Sequence, residues 1–181
     1  MMVDCIIQAR MGSSRLPGKV LMKVDSKNTI LDFMINQLKY SKLIDRTIIA
    51  TSKKMEDDVI EYFCKKNSLN YFRGSEKDVL DRYYQCAKKF ESKIIVRMPA
   101  DKPLLDPTVV DKVVDEFNKN NYDYIISLID DESTYQRLNL ANTILEMFDC
   151  CKSVEPIKIH GCLIQSWSCK DISWVNKTYE N

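Results

Sequence analysis

Residues 5–19 read CIIQARMGSSRLPGK, an apolar strand that runs directly into a loop rich in glycine, serine and cations. The loop holds two of the chain's four glycines, Gly12 and Gly18, and glycine lets a backbone approach a ligand closely. Successive backbone N–H groups in such a loop form an anion-binding nest, and cations add attraction for phosphate. The cations are Arg10, Arg15 and Lys19. The stretch predicts a loop that binds the phosphates of a nucleotide.

This loop differs from the Walker A loop of other nucleotide-binding proteins. Walker A has four residues between its first glycine and Gly-Lys, followed by Ser or Thr and a helix. Here five residues separate Gly12 from Gly18, Val20 follows Lys19, and residues 20–24 are typical of an extended segment. We therefore predict a nucleotide loop of another kind, and the alternative is a surface turn that is merely basic.

Composition favours a protein with no nucleic-acid or membrane partner. The 181 residues carry a formal net charge of +1, which gives no overall attraction to polyanions. No apolar run approaches the ~18 residues of a membrane-spanning helix, and the N-terminus lacks the pattern of a signal peptide. The seven cysteines include no C-x-x-C pair, so we expect reduced thiols in a cytoplasmic protein.

Strand and helix patterns alternate from residue 3 to about residue 128. Apolar runs predict strands at 3–9, 47–51, 70–72, 93–97 and 124–128, and three- or four-residue spacing predicts helices at 29–40, 56–66, 77–90 and 106–117. In the second helix Val59, Ile60 and Phe63 are expected to face inward. Strands that are apolar on both faces, separated by amphipathic helices, predict an α/β fold with a Rossmann-like, doubly wound, mostly parallel sheet.

Two polar loops of this predicted fold converge on one crevice. Ligands of parallel sheets bind at the C-terminal strand ends, where both the loop of residues 10–18 and that of residues 98–103 would lie. Asp101 would hold Mg²⁺ there, because Mg²⁺ binds through one or two carboxylates plus phosphate oxygens. The alternative is an ordinary turn aspartate. Arg97 would contact a phosphate or form a salt bridge, with Asp101 as one candidate partner.

A third polar run, RGSEKDVLDRY at residues 73–83, opens a helix at another strand end. We expect Ser75 to cap this helix, with Asp78 three residues later in place of the usual Glu of a capping box. The roles of Asp78 and Arg82 stay open at this point.

Taken together, three motifs resemble the cytidylyltransferase family, which includes acylneuraminate and 3-deoxy-manno-octulosonate cytidylyltransferases. They are QARMGSSRLPGK at residues 8–19, RGS with DVLDRY at residues 73–83, and DKPLLDP at residues 101–107. The motifs follow the family's order over about residues 3–130, and the spore-coat polysaccharide biosynthesis branch of the SpsF type is the most similar.

The resemblance implies an enzyme that transfers CMP from CTP to a sugar acid, releases pyrophosphate and serves surface polysaccharide or glycan precursor synthesis. Catalysis would rest on positioning and charge neutralisation by Arg10, Lys19 and Asp101, with Mg²⁺ on Asp101. The residues implied for nucleotide binding are Ala9, Arg10, Gly12, Ser14, Arg15, Lys19, Asp78 and Arg97.

Two departures from the family pattern bear on activity. Residues 99–103 read Pro-Ala-Asp-Lys-Pro where SpsF-type relatives read Thr-Gly-Asp-Cys-Pro, so Lys102 is placed beside the metal carboxylate. The family's Gly-x-Asp-x-Glu motif, which supplies a second metal carboxylate, is not found, and the candidate replacements are Asp130, Asp131 and Glu132. The alternatives to an active enzyme are a non-catalytic nucleotide-binding relic and a glycosyltransferase that uses a nucleotide sugar.

Residues 133–181 differ in composition from residues 1–132. They hold four of the seven cysteines, both tryptophans and the only histidine, and the alternating pattern stops. We predict a nucleotide-binding domain at 1–132 and a diverged, poorly packed segment at 133–181 with one short helix at 142–148. A homodimer stays open, since the family's dimer contacts lie in this segment. A zinc site is an alternative for this segment, although the spacing of its residues matches no common zinc-ligand pattern. Those residues would be Cys151, His160, Cys162 and Cys169.

Overall fold

The computed structural model describes residues 2–14, 16–120, 122, 124–128, 154–158 and 165–167. The strands are β1 Val3–Gln8, β2 Arg46–Ser52, β3 Asn70–Gly74, β4 Ile94–Pro99, β5 Tyr124–Leu128, β6 Val154–Lys158 and β7 Gln165–Trp167. The α-helices are α1 Ile30–Leu38, α2 Asp58–Lys66, α3 Val79–Phe90 and α4 Pro107–Lys119, and single 3-10 turns cover Lys19–Leu21 and Met55–Asp57.

The seven strands of the described residues form one sheet in the order β3-β2-β1-β4-β7-β5-β6. The pairs β1 with β2, β1 with β4, β2 with β3 and β5 with β6 are parallel, whereas β7 runs antiparallel to β4 and β5. The predicted doubly wound, mostly parallel sheet is confirmed. The chain steps outward from β1 to β3 and then returns to β4 on the other side of β1. The crevice above the C-terminal ends of β1 and β4 is therefore the ligand site expected for this fold class.

Strand β1 lies at the centre of the core, and its successive side chains pack on opposite faces of the sheet. Cys5 and Ile7 belong to a buried cluster that includes residues of α1, α2 and α4, whereas Ile6 packs with residues of α3. Helices thus cover both faces, which explains why the strand reads as a continuous apolar run. Cys5, Cys64 and Cys86 are buried free thiols.

The beginnings of two helices show where local sequence signals succeed and fail. Asp106 caps α4 by accepting the Thr108 N–H, and Pro107 is the first helical residue, as predicted. The predicted cap of α3 is wrong, because Asp78 rather than Ser75 accepts the N–H of Asp81 at 2.8 Å. Ser75 instead accepts the N–H of Asp78 at 3.0 Å, so it closes the turn that precedes the helix.

Three further predictions need correction. Of the residues 20–24 predicted as extended, Val20 and Leu21 belong instead to the 3-10 turn Lys19–Leu21, because the Gly18 carbonyl accepts the N–H of Leu21 at 3.0 Å. Val59 is 47% exposed, because the narrow inward stripe of α2 consists of Ile60 and Cys64, with Phe63 packed beside them. Strands β6 and β7 lie within residues 133–181, where no strand was predicted.

Several predictions lie outside the described residues. They concern the helix at 142–148, the zinc-site residues Cys151, His160, Cys162 and Cys169, the carboxylates Asp130, Asp131 and Glu132, and Arg15. In the part of the chain that is described, no helix has the length and apolar character needed to cross a membrane.

Candidate functional site

The loop that follows β1 is held in shape at Met11. The Met11 N–H donates to Asp57 Oδ1 at 2.7 Å. The Met11 carbonyl accepts the N–H groups of Ser13 and Gly18, each at 2.8 Å, which brings the two ends of the loop together. Because these three amides are engaged within the protein, the loop is a weaker anion nest than its sequence predicts, and its cationic side chains carry more of the attraction.

The two glycines of this loop differ in how strongly their positions require glycine. Gly18 has a φ of 71°, in the left-handed region that L-residues rarely adopt. A Cβ on Gly12 would lie 2.7 Å from Glu56 Oε1, in the turn that follows β2. The loop after β1 and the segment after β2 are therefore in close contact at the C-terminal edge of the sheet.

Lys19 and Asp101 meet across the strand switch point. Lys19 Nζ lies 2.5 Å from Asp101 Oδ2, and the two side chains are 26% and 38% exposed. The hydrogen bond from Lys19 lowers the pKa of Asp101, and the charge of Lys102 makes a smaller contribution in the same direction. The cation paired with the predicted metal carboxylate is thus Lys19 rather than its sequence neighbour Lys102. The N–H of Ala100 also donates to the Gln8 carbonyl at 3.0 Å, which joins the two loops at their bases.

Arg82 lies within electrostatic range of two other arginines, Arg10 and Arg97. The Arg97 guanidinium lies 5.1 Å from the centre of the Tyr83 ring, and among the described residues it makes no ion pair with Asp101. Arg82 is only 2% exposed and donates from Nη1 to the Ser75 carbonyl at 2.8 Å. Burial lowers the pKa of Arg82, and the charges of Arg10 and Arg97 lower it further. These guanidiniums therefore create positive potential at the crevice, which favours a polyanionic ligand.

The structure joins some of the residues predicted for the site by direct contact or by electrostatic interaction. Lys19 and Asp101 are in contact, Arg10 and Arg97 lie within electrostatic range of Arg82, and Asp78 caps the helix that carries Arg82. The remaining predicted residues lie on the loop after β1, where Ala9 is buried, Gly12 half-buried and Ser14 exposed.

One buried carboxylate, Asp57, was missed by sequence reasoning. It follows β2, and the rule that ligand-site loops follow parallel strands would have included it. A single Asp in the run MEDD at residues 55–58 carries no local signal that it is buried, because its partner Met11 is 46 residues away. The contact depends on the sheet.

A protein-family model described as cytidylyltransferase matches residues 5–149. The chain belongs to the cytidylyltransferase family. The spore coat polysaccharide biosynthesis protein SpsF of Bacillus subtilis is 41% identical over 128 residues, which cover 67% of this chain and 53% of that protein. The 3-deoxy-manno-octulosonate cytidylyltransferase of Chlamydia trachomatis is 32% identical over 120 residues, or 64% of this chain and 45% of that protein.

A solved structure gives the same result as these sequence relatives. A cytidylyltransferase from Leptospira borgpetersenii has a TM-score of 0.73 and 30% identity, and the match covers 88% of this chain and 76% of that one. This cytidylyltransferase chain spans about half the length of the curated relatives it matches. The family resemblance inferred from the three motifs is confirmed, and the fold with it.

Proposed function

We propose that this cytidylyltransferase chain binds CTP and Mg²⁺ in the crevice between β1 and β4 and takes part in transferring CMP to a sugar acid. The observation that carries the proposal is the meeting of Lys19 and Asp101, 2.5 Å apart, at the strand switch point. A phosphate-binding cation and a metal-binding carboxylate are both needed beside a nucleotide triphosphate, and two separate loops supply them here.

The positive groups of the site suit the triphosphate. Lys19 and Arg10 lie on the loop after β1, while the guanidiniums of Arg82 and Arg97 add positive potential from α3 and β4. Arg15 joins this set on the strength of the family resemblance. In the proposed transfer a sugar-acid hydroxyl bonds to the α-phosphorus as the bond to pyrophosphate breaks. These cations would stabilise the negative charge of the phosphates during that exchange.

The donor chemistry of Asp101 fits Mg²⁺. Within the described ranges no group of three or more His, Cys, Asp or Glu side chains is arranged to hold a metal. Mg²⁺ usually binds through one or two protein carboxylates together with substrate phosphates, and Asp101 would supply one such carboxylate. When bound, Mg²⁺ would neutralise charge on the phosphates. Asp101 would hold the ion, and Lys19 would transfer from that carboxylate to a phosphate oxygen.

We further propose that the acceptor is a sugar acid and that the product serves polysaccharide synthesis. They are supported by the names of two relatives, a spore coat polysaccharide biosynthesis protein and a 3-deoxy-manno-octulosonate cytidylyltransferase. In the proposed site the acceptor would approach from the side of β4, where Arg97 lies half-buried beside Tyr83.

Titration calorimetry of the chain with CTP, ATP, GTP and UTP, each with and without Mg²⁺, tests the binding step. We expect CTP-selective, Mg²⁺-dependent binding that is lost in Asp101→Ala. The matched control is Asp115→Ala, which breaks the 2.5 Å ion pair with Lys119 on α4 and should bind CTP as the unchanged chain does. The absence of binding to all four nucleotides would overturn the proposal.

A second assay tests transfer. Pyrophosphate release is measured with CTP and either 3-deoxy-manno-octulosonic acid or N-acetylneuraminic acid as acceptor. Release that depends on the acceptor supports the transferase. CTP binding without release supports the nucleotide-binding relic instead, and cleavage of a preformed nucleotide sugar supports a glycosyltransferase.

A further inference from the structure

Asp57 is a buried carboxylate between the loop after β1 and the end of β2. It is only 1% exposed. Its Oδ1 accepts the Met11 N–H at 2.7 Å, and its Oδ2 accepts both the N–H of Ser52, at 3.3 Å, and the Ser52 hydroxyl. Such a carboxylate cannot reach a ligand in the crevice, so its effect on the site must pass through the groups it holds.

Asp57 holds the Met11 backbone amide, at the start of the loop after β1. The Met11 N–H belongs to the peptide plane that joins Arg10 to Met11, so the hydrogen bond to Asp57 fixes the direction of that plane. The next carbonyl, that of Met11, accepts the N–H groups of Ser13 and Gly18. Asp57 therefore holds the peptide plane from which Arg10 leaves the backbone, and this plane is adjacent to the one whose carbonyl closes the loop.

The negative charge of Asp57 cannot itself favour phosphate binding. A negative charge beneath an anion-binding loop opposes a polyphosphate, although the charges of Asp57 and Arg82 partly offset each other. The charge of Asp57 by itself should thus weaken CTP binding, whereas its geometry should strengthen it. Removing the charge without changing the size separates the two effects by the sign of the change.

We propose that Asp57 is a positioning residue that orients Arg10 and closes the glycine-rich loop for the nucleotide phosphates. The inference rests on the proposed function for its ligand, CTP, and on geometry alone for its effect on the loop. The substitution Asp57→Asn places an amide NH₂ against backbone donors, so at least one of the bonds to Met11 or Ser52 is lost.

The experiment compares Asp57→Asn with Asp111→Asn. Asp111 on α4 also accepts a hydroxyl and backbone N–H groups, those of Ser41, Lys42 and Leu43, but between α1 and β2, away from the crevice. Two quantities are measured on the folded chains: the affinity for CTP with Mg²⁺, and the hydrogen-exchange rate of the Met11 amide.

For Asp57→Asn we expect CTP affinity to fall about tenfold, because the substitution weakens hydrogen bonds to a charged acceptor, which are stronger than bonds between neutral groups. We also expect hydrogen exchange of the Met11 amide to accelerate. Asp111→Asn should change neither quantity. Unchanged or tighter CTP binding by Asp57→Asn would overturn the positioning role. If the unsubstituted chain binds no CTP, the proposed function fails and Met11 exchange alone decides the inference. Should Asp57→Asn not fold, Ser52→Ala is the second variant, and unaltered Met11 exchange in it would count against the proposal.

Discussion

Lys19 Nζ and Asp101 Oδ2 lie 2.5 Å apart, although 82 residues separate them in the chain. Each comes from a loop at the C-terminal end of its strand, and the pair spans the switch point between β1 and β4. Because both side chains are partly exposed, the pair contributes less than about 1 kcal/mol to folding. A ligand that offers a metal ion to Asp101 and a phosphate to Lys19 can therefore replace the pair at little cost.

Removing the lysine should change how Asp101 titrates. Lys19 is the main cause of the lowered pKa of Asp101, so in Lys19→Met this pKa should return toward the ordinary value for aspartate. A carboxylate whose pKa is lowered on folding adds stability at pH values above its unfolded-state pKa of about 3.9. That stability is lost as the pH falls through the folded-state pKa. The variant should therefore lose its Asp101 charge at higher pH, which an NMR titration of the side-chain carboxyl measures.

The matched control for this titration is Lys102→Met, which removes a cation adjacent in sequence. Lys102 contributes less to the lowered pKa of Asp101 than Lys19 does, and only through its charge. Its removal should shift the titration by a smaller amount. Equal shifts in the two variants would show that the ion pair has no special part in the site.

Alanine at Gly74 should be more damaging than alanine at Gly12. A Cβ on Gly74 would lie 2.8 Å from both Arg82 Cγ and Phe72 Cε1, and 3.2 Å from the backbone Cα of Arg82. Overpacking of this kind costs about 1–3 kcal/mol and would displace Arg82 from its buried position. Urea unfolding measures the cost.

Gly12→Ala serves as the comparison in the same measurement. Its Cβ would meet the carboxylate end of Glu56, an exposed and flexible side chain that can move aside. We expect its unfolding free energy to change by less than about 0.5 kcal/mol. Equal losses of stability in the two glycine variants would contradict the packing argument.

Asp4 should be important for stability and unimportant for the site. Arg46 donates to it from Nε at 2.9 Å and from Nη2 at 2.6 Å, the Ser92 hydroxyl also donates to it, and Asp4 is fully buried near the start of β1. Asp4→Ala leaves Arg46 without this partner, and we expect a loss of about 3 kcal/mol on urea unfolding. CTP affinity of the folded chain should be unchanged, and a parallel loss of affinity would refute the separation between the two ends of β1.

The buried thiols should resist alkylation while the chain is folded. Burial raises the pKa of Cys64 and Cys86 to about 12 and raises that of Cys5 as well. Because the thiolate is the reactive form, these three cysteines should react with iodoacetamide at pH 8 only after unfolding in urea. Peptide mass spectrometry assigns each modification, and rapid labelling of Cys64 in the native chain would contradict its burial.

Local patterns predicted the elements more reliably than their ends. The apolar run of β1 and the Asp106-Pro107 start of α4 are confirmed because each depends on neighbours in sequence. The Ser75 cap was wrong because Ser75 and Asp78 are both residue types that cap helices, and the local sequence does not distinguish between them. Val59 was misassigned because a nine-residue helix buries a narrower stripe than its apolar residues suggest.

The sequence by itself determined the family, the alternating strands and helices, and the loops in which glycine, cations and Asp101 occur, because these depend on residues close together in the chain. Only the tertiary structure decided which of those residues meet. The strand order places β1 between β2 and β4, and this brings Asp57 to the Met11 amide and Asp101 to Lys19. Contacts across 46 and 82 residues depend on strand pairing, which no local pattern encodes.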